Sequence, residues 1–180
     1  MDYFEGILKT VLEQQGYWVR QAFKVELTKE EKRLIGKPSI PRPEVDLLAF
    51  KPLEDELLVI EAKSFLDSPG VRVDDLQKSY EIPAGRYKLF TCQNYREIVF
   101  GRLLKQLQRQ GMITGKTKIT LGLAAGKVYR NRSYELQELC DSSNWRFWSP
   151  EFIRGEVIRL AEMGYENDPA VITAKILSVK

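Results

Sequence analysis

Glu44-Val45-Asp46-Leu47-Leu48-Ala49-Phe50, then Lys51-Pro52-Leu53-Glu54-Asp55, then Glu56-Leu57-Leu58-Val59-Ile60-Glu61-Ala62-Lys63: this stretch decides the fold. Short apolar runs rich in branched residues, split by a Pro-containing acidic turn, predict a hairpin of two buried strands. If Phe50 faces Leu57, antiparallel pairing sets Asp46 opposite Glu61 and Glu44 opposite Lys63. Opposed β-carbons lie roughly 4.5–5.5 Å apart, and Glu61 and Lys63 share a face because strand side chains alternate. Two carboxylates and an ammonium would then converge at one end of an apolar strand pair; a one-residue slip would undo this. Two half-buried carboxylates that close repel unless a cation lies between them. A hard divalent ion such as Mg²⁺, which takes few protein oxygens and keeps several waters, suits that place. The competing reading is a strand end where Lys63 pairs with Glu44 or Glu61 and the charges reach solvent.

Composition narrows the chemistry. With 180 residues, 43% apolar and 29% charged, the chain reads as one soluble domain large enough for a sizeable core. A net charge of +3 is only weakly suggestive of a polyanionic partner. Histidine is absent, which excludes His-based zinc sites and His-dependent triads. Cys92 and Cys140 are far apart without metal-ligand spacing and read as reduced thiols of a cytoplasmic protein. The N-terminal residues lack the basic and apolar regions of a secretory signal, and no apolar run approaches about 18 residues, so no membrane partner is expected.

Outward from the hairpin, Asp2 to Gln15 reads as a helix with Phe4, Ile7, Leu8, Val11 and Leu12 on one face. Glu5 sits near that seam, as a first-turn acid or as part of a site. Tyr17–Leu27 reads as a strand and Thr28–Gly36 as a short capped helix, followed by a proline-punctuated loop into the hairpin. Lys29, Lys32, Arg33, Lys37 and Arg42 make this segment basic: either solvated surface or phosphate contacts. After Lys63 the pattern predicts a helix over Val71–Glu81 carrying Gln77, a strand over Arg86–Thr91 and an amphipathic helix over Asn94–Gln110 with a basic face. A strand over Lys118–Val128, with Gly and Ala hinting at close packing, precedes a helix at Ser133–Cys140 and an aromatic strand at Asn144–Trp148. Helices from Ser149 and from Asn167 follow. The aromatic strand reads as core more readily than as a base-stacking platform.

Helix, strand, hairpin, helix, strand, with Asp46, fourteen residues, then Glu61-Ala62-Lys63 closing an apolar strand, resembles the PD-(D/E)XK nuclease superfamily. Phe4-Glu5 on a first helix ending Gln15-Gly16-Tyr17 is similar to its Mrr-like and junction-resolvase-like branches. Val45 stands where the pattern has Pro. The resemblance implies an α/β fold with a restriction-endonuclease-like αβββαβ core, a mixed central sheet flanked by helices. It covers residues 1–111 as the nuclease-like core, leaving 112–180 as a C-terminal α/β extension packed on the same domain. It implies Asp46 and Glu61 as metal ligands, Lys63 as the group that orients or activates water, Glu5 as an accessory acid and Gln77 as an accessory polar residue. The expected activity is Mg²⁺-dependent phosphodiester hydrolysis (Mn²⁺ substituting), endonucleolytic and on DNA, by a monomer or a homodimer. The alternative is a catalytically inactive nucleic-acid-binding or assembly module.

Overall fold

The computed structural model describes residues 2–178. Five strands form one mixed sheet in the order β1 (Trp18–Lys24), β2 (Glu44–Lys51), β3 (Glu56–Lys63), β4 (Lys118–Ala125) and β5 (Arg146–Trp148). The first two pairings are antiparallel, the last two parallel. β3 and β4 are apolar on both faces, as strands covered on both sides must be. Leu57 and Val59 of β3, with Leu121 and Leu123 of β4, pack under α5 (Gln93–Arg109), which contributes Tyr95, Val99, Leu103 and Leu107. Leu58 and Ile60 point the other way, onto Phe4, Leu8 and Leu12 of α1 (Tyr3–Gln14) and Ile153 of α7 (Pro150–Leu160). Each such leucine fully removed from water contributes about 1.5–3 kcal/mol.

Local chemistry starts and stops the elements as the sequence suggests. The Asp2 carboxylate accepts the Phe4 N–H at 2.9 Å at the head of α1. Thr28 and Glu31 form a reciprocal capping box on α2 (Lys29–Leu34). Ser149 caps α7, and Asp168 accepts the Ala170 and Val171 N–H groups to start α8 (Pro169–Ser178). The aromatic segment is core: Trp148 is buried and Trp145 meets Phe90 edge-on at 5.0 Å. Gly122 in β4 is the close-packing position, since a β-carbon there would run into the Trp148 ring. Val128, the last residue of the predicted strand, joins only an isolated bridge to Val71.

Two predicted elements are corrected. The helix read over Val71–Glu81 is only α3 (Val73–Leu76). Past Leu76 the side chains are exposed and supply no apolar seam, and the Tyr80 N–H turns to the Thr91 carbonyl at 2.7 Å. The strand read over Arg86–Thr91 is a helical turn, α4 (Lys88–Thr91): the Tyr87 carbonyl accepts from the N–H groups of Phe90 and Thr91, both at 2.9 Å. Buried residues run consecutively from Leu89 to Cys92, a pattern that a short strand and a buried helical turn share. The edge of β3 that such a strand would need is filled by β4 over all eight residues of β3, Glu56 to Lys63. The sheet therefore runs through residues on both sides of position 111, and α6 (Ser133–Ser142) covers the same face as α5.

Candidate functional site

The hairpin adopts the expected register: Phe50 pairs with Leu57 and Leu47 with Ile60. There the ladder stops. Instead of continuing to a main-chain Asp46–Glu61 pair, the Asp46 carboxylate takes the Ala62 N–H at 2.8 Å, so a side-chain oxygen satisfies the strand amide where β2 parts from β3. The predicted meeting of Asp46, Glu61 and Lys63 is present. The Lys63 ammonium lies 2.6 Å from Glu61 Oε1 and 3.4 Å from Asp46 Oδ2, and 3.2 Å from the Ala62 carbonyl oxygen. Glu44 does not join them; it lies 3.7 Å from Lys24 across β1. The three site side chains are only 17–21% exposed, so their Coulombic interactions are weakly screened.

That burial sets the protonation chemistry. The Glu61 carboxyl is pushed above its ordinary value by burial, with Asp46 pushing the same way and Lys63 opposing both. Burial alone would lower Lys63, but Glu61 and Asp46 outweigh it, so its affinity for the proton is raised and the group is an ammonium at neutral pH. Glu5, brought to this end of the sheet by the first turn of α1, is raised by burial and by the charge of Asp46, then Asp2. It is thus electrostatically coupled to the centre.

Glu61, Lys63 and Val45 wall a cleft of about 480 Å³. Its rim carries Arg42, Arg86 and Lys88, with Phe65 and Tyr95. Arg86 lies over the Phe65 ring at 5.8 Å, and Lys88 acts on Glu61 to lower it. These two cations were hidden in a segment read as a strand; the only sequence signal was their position just past the Pro83-Ala84-Gly85 turn. Tyr87 and Tyr95, buried beside the site, are pushed up to about 12 by that burial.

The remaining predicted site residues divide. Gln77 follows the last residue of α3 and is exposed, with no contact to the carboxylates. Arg42 lines the cleft but is bonded to Glu26 at 2.9 Å. Lys37 donates to the Pro83 carbonyl at 2.5 Å, which ties the loop down. Lys29, Lys32 and Arg33 ride on α2, which docks on α5 through Glu31 and Arg102 at 2.7 Å. The basic face of α5 is partly spent internally: Arg96 donates to the carbonyls of Leu89 and Phe90, and Gln106 joins Lys24 and Glu26.

No protein-family model and no curated protein matches the chain. Among solved structures it is similar to a crystal structure of a protein of unknown function, AF1548, over 97% of each chain, at 14% identity and a TM-score of 0.38. A likeness at that level carries no argument about chemistry.

Proposed function

We propose that this protein is a metal-dependent nuclease hydrolysing phosphodiester bonds, an endodeoxyribonuclease on a restriction-endonuclease-like version of the α/β fold. The observation that carries the reading is the convergence of Asp46, Glu61 and Lys63 where β2 leaves β3, with Glu61 and Lys63 on the wall of a cation-rimmed cleft. The order α1, β1, β2, β3, α5, β4, with β3 and β4 parallel, supports the fold assignment. Asp46 and Glu61 offer two anionic oxygens, and the Ala62 carbonyl faces the same nitrogen. Among the described residues no group of three or more Asp, Glu, His or Cys side chains is placed to hold a metal. A set of two carboxylates, a carbonyl and water is nonetheless the hard, oxygen-only environment that suits Mg²⁺ and Mn²⁺. A bound divalent ion would polarise a phosphate oxygen and acidify a coordinated water. Lys63 keeps positive charge beside the phosphate as negative charge builds on it. Glu5 can hold or release a proton at the edge of the centre.

One observation favours a second reading, an inactive nucleic-acid-binding or assembly module: the Lys63 ammonium already pairs with both carboxylates. Plasmid, oligonucleotide and RNA substrates incubated with Mg²⁺, Mn²⁺ or EDTA separate the two. Cleavage by the wild type that EDTA and Lys63→Ala both abolish is the expected result. A wild type inert with both ions on every substrate overturns the nuclease; salt-sensitive nucleic-acid affinity persisting in EDTA would then favour the module.

A further inference from the structure

Beyond β3 and β4 the two chains that leave the site are fastened to each other. The Gly126 N–H donates to the Lys63 carbonyl at 2.9 Å, so the fastening begins at the end of the motif itself. The Val71 N–H then donates to Lys127 O at 2.9 Å and the Tyr129 N–H to Val71 O at 2.8 Å, a parallel bridge between Val71 and Val128. Gly70, at φ 102°, permits this approach, because a β-carbon there would press on the backbone of Val128 and Tyr129 at 2.9 Å.

On this bridge stand Arg72, Lys127 and Arg130, all exposed. The guanidinium of Arg72 lies 4.3 Å from the Tyr129 ring centroid and that of Arg130 lies 5.1 Å from it. Among the described residues none of the three has a carboxylate partner. The neighbouring Arg132, by contrast, is bonded to Asp74 at 3.0 Å and Glu135 at 2.6 Å. Arg130 and Asn131 both occupy the left-handed region, at φ 54° and 57°. For Arg130, without asparagine's tolerance of that region, the conformation is strained. The chain thus bears backbone strain at a residue whose charge is held against a ring and left uncompensated.

We propose that Arg72, Lys127 and Arg130, organised around Tyr129, form a contact surface for the sugar-phosphate backbone of a nucleic-acid duplex entering the site. The inference rests on the proposed function for its substrate class, and it moves the phosphate contacts from the segment containing Lys29, Lys32 and Arg33 to the segments that follow β3 and β4. A duplex is favoured over a single strand because the Tyr129 ring carries guanidinium groups rather than a bare face on which a base could stack. What the surface offers is fixed positive charge, which positions a backbone without reading sequence.

The test is fluorescence anisotropy of a labelled blunt DNA duplex, and of an RNA duplex of the same sequence, in EDTA across a salt series. Arg72→Ala/Arg130→Gly is expected to raise Kd about tenfold and to flatten the salt dependence by about two phosphate contacts. Arg130→Gly alone should weaken binding without lowering Tm, since glycine accepts the left-handed conformation; this separates lost contact from lost fold. Lys29→Ala/Lys32→Ala should leave Kd unchanged. Parallel losses on both duplexes, or a loss on DNA alone, support the surface; tight binding to RNA alone overturns its assignment to DNA. An unchanged Kd and slope in folded Arg72→Ala/Arg130→Gly, or a wild type that binds neither duplex, overturns it. Cleavage is read separately. A wild type that binds through these residues but never cuts sinks the nuclease and spares the surface; one that cuts with the variant unaffected does the reverse.

Discussion

Replacing Lys63 by Met keeps most of the aliphatic stem and removes the charge that joins Asp46 to Glu61. Removing one member of a buried ion pair costs about 3–5 kcal/mol when the remaining charge is left uncompensated. Here the side chains keep 17–21% of their exposure, so water relieves part of that, and about 2–3 kcal/mol is expected at pH 8. The pH dependence identifies the cause. In the wild type the folded-state pKa of Lys63 is raised. Its stabilisation is therefore complete below the ordinary lysine value near 10.4 and is lost only as pH climbs through the raised one. Glu61 is also raised, so its contribution runs the other way from a normal acid: stability falls as pH rises from the ordinary glutamate value through the folded-state value. Without Lys63 the one strong influence lowering Glu61 is gone, and that decline becomes larger and extends to higher pH.

Lys63→Met should accordingly lie nearest to wild type at the acid end, where protonation of the raised Glu61 carboxyl relieves the unpaired charge, and diverge as pH rises. Urea denaturation at intervals from pH 5 to 9 measures this directly. Magnesium should then substitute for the missing ammonium. At a concentration about ten times its dissociation constant it should restore about 1.4 kcal/mol in the variant at pH 8, and less in the wild type, where Lys63 competes for the same oxygens. A stability difference that is flat across pH, with no response to magnesium, would refute the reasoning. It would mean that Lys63 acts through packing and that the carboxylates do not need a cation.

Asp46→Asn retains an oxygen for the Ala62 N–H and should fold, yet both it and Glu61→Gln should lower metal-dependent cleavage by about a hundredfold or more, read in a plasmid-nicking assay. Gly122→Ala should cost about 1–3 kcal/mol by forcing a methyl into the Trp148 ring; a double-mutant cycle with Trp148→Leu should recover part of it. Asp55, at φ 46°, accepts from the Thr114 and Thr117 hydroxyls at 2.8 and 2.5 Å. Asp55→Gly suits the turn but leaves both hydroxyls without their acceptor, and Asp55→Ala adds backbone strain. Thermal melts should therefore rank wild type above Gly and Gly above Ala, with about 1–2 kcal/mol lost on the first step.

The hairpin register was legible because the acidic Pro-containing turn leaves little choice of partner for Phe50, and alternation then carries the pairing down to Leu47 and Ile60. What alternation cannot show is where pairing ends. The departure of β2 at Asp46 depends on a side-chain oxygen competing successfully for the Ala62 amide, an event with no periodic signature. Non-local competition also explains the misread Arg86–Thr91 segment, since β4, from a distant part of the chain, takes the edge of β3. Asp46, Glu61 and Lys63 lay on one predicted hairpin and could be placed relative to one another. Glu5 approaches them only through the docking of α1, and Arg86 and Lys88 reach the cleft through a turn and a short helix that no local pattern encodes. For Gln77 it is the expected helix that is corrected, since α3 ends one residue before it.

Charge is arranged in this molecule by depth. At the centre, Asp46 and Glu61 exceed the single ammonium that they share, and Glu5 adds a third acid whose field reaches Asp46. Around it, Arg86 and Lys88 line the cleft, and Arg72, Lys127 and Arg130 project from the bridge that begins at Lys63. A structural ion pair has no use for that surplus: buried charge clusters are commonly no more stable than the apolar side chains that could replace them, and an unbalanced one is less so. An acidic centre attracts a cation, and a basic rim attracts a polyanion. The two fields compete unless the cation is small and multiply charged, so that it can satisfy the centre and still bind the anion drawn to the rim. A divalent metal and a phosphate backbone are the pair that satisfies both fields at once, which is why the proposed chemistry accounts for the rim as well as for the three residues inside it.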